Sequence, residues 1–156
     1  MVPFATFLRE LAERRGLRRE ADGMSVTYRL KMSGSTVITI LTHEVETVQP
    51  DLVLSEPWPI PASEALEQEF LREALSFNRN ALHHLHAGIR PDPLGGAQYR
   101  LTWQVPAIQQ AQSNWTSQLR LFALLTEKAW QTLPRPGERL LSRANPQDDT
   151  NLIFMP

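Results

Sequence analysis

The sequence predicts an α+β domain in the order α-βββ-α-ββ-α, a twisted antiparallel sheet with helices packed on it. Three observations carry that prediction. Residues 98–105 alternate, with Tyr99, Leu101, Trp103 and Val105 on one side and Arg100, Thr102 and Gln104 on the other, which is the period of a half-buried strand. Residues 25–32 alternate in the same way, and a Ser33-Gly34-Ser35 turn joins them to a β-branched run at 36–42, which together read as a hairpin. Apolar residues recur at helical spacing before, between and after these strands.

In chain order, Phe4, Phe7, Leu8 and Leu11 follow the i, i+3, i+4, i+7 spacing of a short first helix, and Gly16 suits its C-cap. Residues 18–23 read as a polar turn. In the hairpin, Val26, Tyr28 and Leu30 are expected to pack under the helices. The second strand is apolar on both sides, Val37 and Leu41 on one and Ile38 and Ile40 on the other, so it is expected to need two covers. A third strand is expected at 51–55, with Leu52, Val53 and Leu54. Pro57, Pro59 and Pro61 then break the sheet into an extended connector. The second helix is expected over 63–81, capped by Ser63 and led by Glu64 and Glu67. One stripe of it holds Leu66, Phe70, Ala74 and Phe77, and a flanking stripe holds Leu71, Leu75 and Leu82. A strand at 85–90, the Asp92-Pro93-Leu94-Gly95-Gly96 turn and the strand 98–105 form a second hairpin. From Ile108 through Ala111, Trp115, Leu119, Phe122, Leu125 and Ala129 to Leu133 the spacing predicts a third helix of about seven turns. Residues 1–133 are therefore read as one α+β domain. Residues 134–156 are read as a Pro-rich polar C-terminal tail, flexible and dispensable for folding, although Leu152, Ile153 and Phe154 are odd in a free tail.

Composition limits the function. An apolar fraction of 42% can fill a core, and a net charge of -1 gives no basic footprint for nucleic acid. With no cysteine, a reducing cytoplasm is the simplest setting and no disulfide framework exists. No membrane span is expected, and the N-terminus reads as amphipathic helix rather than signal peptide. His84 and His86 would share a face of a strand and could ligate a metal, but His83, His84 and His86 lack an acidic partner at ligand spacing. No phosphate loop, GxSxG elbow or HExxH motif is present, so catalytic, cofactor and metal residues are all expected to be absent and the chain is not read as an enzyme.

Taken together, the first helix, the Ser33-Gly34-Ser35 hairpin, Leu52-Val53-Leu54 with its Pro57-Trp58-Pro59-Ile60-Pro61 exit, the Ile89-Arg90-Pro91-Asp92-Pro93-Leu94-Gly95-Gly96 hairpin and the Leu101–Pro106 strand feeding a last helix with Trp115 and Trp130 resemble the class I chaperones of bacterial type III secretion systems. That resemblance implies a small cytoplasmic homodimer without ATPase activity. It would hold the N-terminal segment of a secreted effector in non-globular form, with the secretion ATPase or apparatus as a further candidate partner. It differs from the family's acidic character in being nearly neutral, with a cluster at Arg14, Arg15, Arg18 and Arg19. Client contacts are expected at Phe4, Phe7, Leu8, Leu11, Ile38 and Ile40. The dimer interface is expected at Leu71, Leu75, Tyr99, Leu101 and Trp103. The alternatives are an adaptor of the same fold that binds a regulator or apparatus component, and a small metal-binding enzyme using His84 and His86.

Overall fold

A computed structural model of the chain describes residues 2–23, 25–32, 36–43, 50–83, 85–105, 111–112 and 114–133. Within them, three helices, α1 (Phe4–Arg15), α2 (Glu64–Ala81) and α3 (Trp115–Thr132), pack with a seven-stranded antiparallel sheet. Its strands are β2 (Arg18–Asp22), β3 (Ser25–Lys31), β4 (Val37–His43), β5 (Asp51–Leu54), β6 (Trp58–Pro59), β7 (Ala87–Pro91) and β8 (Gln98–Val105). A separate two-stranded clasp joins β1 (Val2–Pro3) to β9 (Ala111–Gln112). The tail 134–156 lies outside the described residues.

The sheet runs β2-β3-β4, then β5 and β6 in succession along one side of β8, with β7 along the other. β5 and β6 are one line of chain with an irregular step between them. Val53 faces Trp103 and Leu54 faces Thr102, but Trp58 faces Tyr99, so one extra residue is absorbed over 55–57. Ser55 holds the step: its N–H donates to the Leu101 carbonyl at 3.0 Å, and its Oγ accepts the Leu101 N–H at 3.0 Å. The proline connector thus stays paired to the sheet instead of leaving it. Its Trp58 is fully buried, stacked on Trp130 of α3 with ring centroids 4.2 Å apart.

Residues directly opposite one another on antiparallel strands share a face. Val26, Tyr28 and Leu30 on β3, Ile38 and Ile40 on β4, Val53 on β5, Leu101 and Trp103 on β8 and Ala87 and Ile89 on β7 therefore form one apolar face. All of these are buried, in one cluster with Phe4 and Leu8 of α1, Phe70, Ala74 and Phe77 of α2, and Trp115, Leu119 and Phe122 of α3. The other face alternates Thr27, Arg29, Thr39, Leu41, Leu52, Arg100 and Gln104.

Three further sequence expectations need correction. Residues 18–22 form an edge strand, not a turn, and every residue of it is exposed. The third helix starts at Trp115 rather than Ile108; Ala111 and Gln112 are strand residues paired to Pro3 and Val2. Ile38 and Ile40 lie on the covered face and are 0% exposed, so β4 needs no second cover on their side.

The β7 edge is closed by one side chain. Asn78 of α2 accepts the Ile89 N–H at 2.6 Å and donates to the Ile89 carbonyl at 3.1 Å, supplying both partners that a further strand would. Gly88 permits this approach, because a Cβ there would meet the Asn78 side chain at 3.3 Å. Asn78→Ala should cost about 2 to 4 kcal/mol, since two backbone groups lose their partners; Asn78→Asp, which keeps an acceptor but no donor, should cost less, both read from urea unfolding. Ile38→Asp and Ile40→Asp, each placing a carboxylate in the core, should abolish cooperative unfolding by circular dichroism.

Candidate functional site: a basic-rimmed apolar groove

The face of α1 is divided by its periodicity. Phe4 and Leu8 turn into the core, where the Phe4 ring lies 4.8 Å from that of Trp115 and 6.2 Å from that of Trp103. Phe7 and Leu11, one position round the helix, are only half-buried, and Arg14 and Arg15 continue their flank. The β1–β9 clasp ties the start of α1 to the chain just ahead of α3, so the two helices lie side by side over β3. Between them is a groove of about 510 Å³. Phe7, Leu11, Leu30, Met32 and Leu119 make its apolar lining, and Arg14, Arg15, Lys31 and Arg120 bring cations to it; no carboxylate is among the lining residues. The basic residues at the end of α1 also suit its dipole, and Gly16 closes the helix at φ 64° with an αL cap.

The groove opens where a strand stops. β2 begins at Arg18, opposite Arg29, so Leu30 and Lys31 are paired to β4 on one side and extend past β2 on the other. A chain in extended form entering the groove would run beside this uncovered stretch, the geometry of strand addition.

Of the client contacts expected from sequence, the structure brings Phe7 and Leu11 into the groove. It places Phe4, Leu8, Ile38 and Ile40 in the core, at 1% exposure or less. Of the expected interface residues, Leu75 is 68% exposed on α2, with Leu82 at 53% beside it, and Leu71 is half-buried. Tyr99 is half-buried against Phe70, and burial together with the Glu67 carboxylate pushes its hydroxyl pKa up. Leu101 and Trp103 are core residues, because β8 is flanked on both sides and covered by helices, and no surface of theirs is left for a partner. His83 and His86 are exposed, His84 lies outside the described residues, and among the described residues no group of three His, Cys, Asp or Glu side chains could hold a metal ion. Sequence reading missed Met32, Leu119 and the cations Lys31 and Arg120, which come from the end of β3 and from α3 and meet only in the fold.

The opposite sheet face carries a different recess, of about 410 Å³, lined by Arg18, Glu20, Thr27, Arg29, Thr39, Glu56, Leu94 and Arg100. Its cations are matched: Arg18 pairs with Glu20, Arg29 with Glu56, and Arg100 Nε lies 2.9 Å from the fully buried Asp92 carboxylate. Asp92 anchors the β7–β8 turn, accepting hydrogen bonds from the Leu94 N–H at 2.9 Å and from the Gln98 side-chain amide. Burial pushes its carboxyl up, but the Leu94, Gln98 and Arg100 donors outweigh burial and hold it below the ordinary value.

No protein-family model matches this chain, and comparison with curated proteins and with solved structures gives no match. Among the described residues no helix is long and apolar enough to cross a membrane.

Because the folded-state pKa of Asp92 is depressed, its stabilisation is fully present above the ordinary value near 3.8 and is lost as the pH falls through the lowered value. Asp92→Asn should therefore cost about 2 to 3 kcal/mol at neutral pH and flatten the acid limb of stability against pH, measured by urea unfolding from pH 7 down to about pH 3.

Proposed function

We propose that this protein is a type III secretion chaperone that holds an N-terminal segment of a secreted effector, and that the segment lies in the groove between α1 and α3. The observation that carries the reading is the groove itself, an apolar trough with a cationic rim beside an unextended strand edge. Such a surface takes a chain that is extended, apolar at intervals and acidic. A non-globular client loses conformational entropy when ordered, so it must bury several apolar anchors at once, and the half-buried Phe7, Leu11 and Met32 offer places for them. The resemblance in element order between this chain and the class I secretion chaperones supports the same reading and implies a bacterial cytoplasmic setting.

In this proposal the chain acts as a homodimer through the outer stripe of α2. Leu75 and Leu82 are large apolar side chains left in water on one helix, and a second copy would cover them. Each dimer would present two grooves, doubling the surface along which one client chain could wrap. The adaptor alternative uses the same groove for a folded regulator. A folded partner would present one pre-formed element and order little on binding, whereas a client segment would pass from unfolded to extended.

The test uses the purified full chain and the N-terminal segment of a secreted protein encoded beside it. Calorimetric titration should give binding that weakens as salt rises, because the rim is exposed and screened. Arg14→Glu with Arg120→Glu, and separately Leu11→Asp, should each weaken capture by about tenfold or more, while leaving circular dichroism unchanged because all three side chains lie outside the buried core. Light scattering at micromolar concentration should give a dimer mass, and Leu75→Asp should give a monomer. Capture insensitive to the groove variants would place the client elsewhere; a strictly monomeric wild-type mass would remove the homodimer.

A further inference from the structure

We propose that residues 148–154 of this same chain, Asp148-Asp149-Thr150-Asn151-Leu152-Ile153-Phe154, dock in the groove between α1 and α3. The match is chemical. The groove presents four cationic side chains, Arg14, Arg15, Lys31 and Arg120, and no lining carboxylate, around an apolar floor. The segment presents two carboxylates followed, after two small polar residues, by three consecutive large apolar side chains, and it holds no lysine or arginine. The other place after Leu133 where an acid stands near large apolar side chains, Glu138 with Leu140 and Leu141, is interrupted by Arg139 and flanked by Arg135 and Arg143. An unbroken run of large apolar side chains, Leu152 through Met155, calls for a cover.

The tether allows it. α3 ends at Thr132, and the groove residues Thr116, Leu119 and Arg120 lie toward its other end. From Leu119 to Leu133 the helix axis covers about 21 Å. The chain between Leu133 and Leu152 spans about 60 Å when extended, and about 24 Å on average as a flexible coil. The reach thus equals the distance without strain. A tether of this length also sets an effective concentration on the order of millimolar, so a contact too weak to hold a free peptide is enough to keep the segment in place. The uncovered stretch of β3 at Leu30 and Lys31 gives the arriving backbone a strand to run beside.

The docking stands on the groove alone. Its consequence, that the segment and a client exclude one another, rests on the chaperone reading, and failure of the docking leaves that reading intact.

The chain has no cysteine, so single pairs can be introduced into the full-length protein without background. Thr116→Cys with Thr150→Cys puts one thiol at the groove and one in the segment. Under mild oxidation this pair should close an intrachain disulfide about tenfold or more faster than Thr27→Cys with Thr150→Cys, whose first thiol sits on the opposite sheet face at the end of the same tether. Adding Arg14→Glu and Arg120→Glu should slow closure to the control rate. In parallel, the full-length Leu152→Asp, Phe154→Asp variant should exchange the Lys31 amide, which points to the open edge of β3 and not to β4, faster than the wild type. Equal closure rates for the two pairs, or a rate indifferent to charge reversal, would overturn the proposal and leave the groove to a separate partner. A disulfide-linked dimer in place of the intrachain bond would overturn it in favour of the groove of a second copy.

Discussion

The fold hangs on β8. Its residues are paired on one side to β5 and β6 and on the other to β7, so the three chain segments on either side of α2 are held in one sheet by a single strand. Trp103, at its middle, faces Val53 and Ala87 across the two ladders and meets the rings of Phe4 and Phe122 from α1 and α3. A residue that belongs to two ladders and touches two helices cannot shift register without breaking all four contacts. The extra residue over 55–57 is the one irregularity this arrangement admits on the β5–β6 side, and Ser55 resolves it by offering its hydroxyl to a backbone N–H. Without that oxygen, Leu101 would carry a buried amide with no acceptor.

With β8 fixed, the covered face of the sheet is determined, and so is the groove. Ridges on α1 and α3 both seek the aromatic centre around Trp103, and the clasp of β1 with β9 sets how far apart their starts lie. The helices do not close fully over β3, and Phe7 and Leu11, packed against the rim of the core, line the gap that is left. The groove is thus a by-product of placing three helices on a twisted sheet that is wider than they are.

Much of this was legible in the sequence, and what was not had physical reasons. The hairpin of β3 and β4, the capped α2 and the alternation of β8 follow from patterns of apolar residues, because each buries one face. β2 does not: Arg18, Arg19, Glu20, Ala21 and Asp22 are wet on both faces, so there is no alternation to read. Its signal was instead the Asp22-Gly23 pair, where Gly23 takes φ 62° in the two-residue connection that sets Asp22 opposite Ser25. The face of Ile38 and Ile40 was also within reach. Met32 bonds back to Thr36 around the turn, which sets Leu30 against Ile38 and Tyr28 against Ile40. Any residue opposite Tyr28 shares its covered face, so loop length alone would have assigned them to the core. The start of α3 was misread because Ile108 and Ala111 fit the helical period by coincidence, while the backbone partner that claims Ala111, in β1, lies at the far end of the chain. The groove residues from β3 and α3 carry no joint sequence pattern at all, since they are brought together only by tertiary packing.

The net charge of -1 conceals how unevenly charge is placed. On the open sheet face the cations are spent on local structure: Arg100 on the Asp92 turn and the Ser55 carbonyl, Arg29 on Glu56, Arg18 on Glu20. The two exposed pairs, Arg29 with Glu56 and Arg18 with Glu20, add little stability, but with the buried pair of Arg100 and Asp92 they leave that face near neutral. In the groove, four cations stand around an apolar floor with no lining acid to match them. Mutual repulsion there opposes folding slightly, and it works against the favourable placement of Arg14 and Arg15 at the C-terminal end of α1. On the proposals made above, an anionic, apolar chain in the groove would offset that repulsion. In one proposal that chain is residues 148–154 of the same protein, and in the other it is a segment of another protein; both meet the groove through the same charges and the same apolar floor.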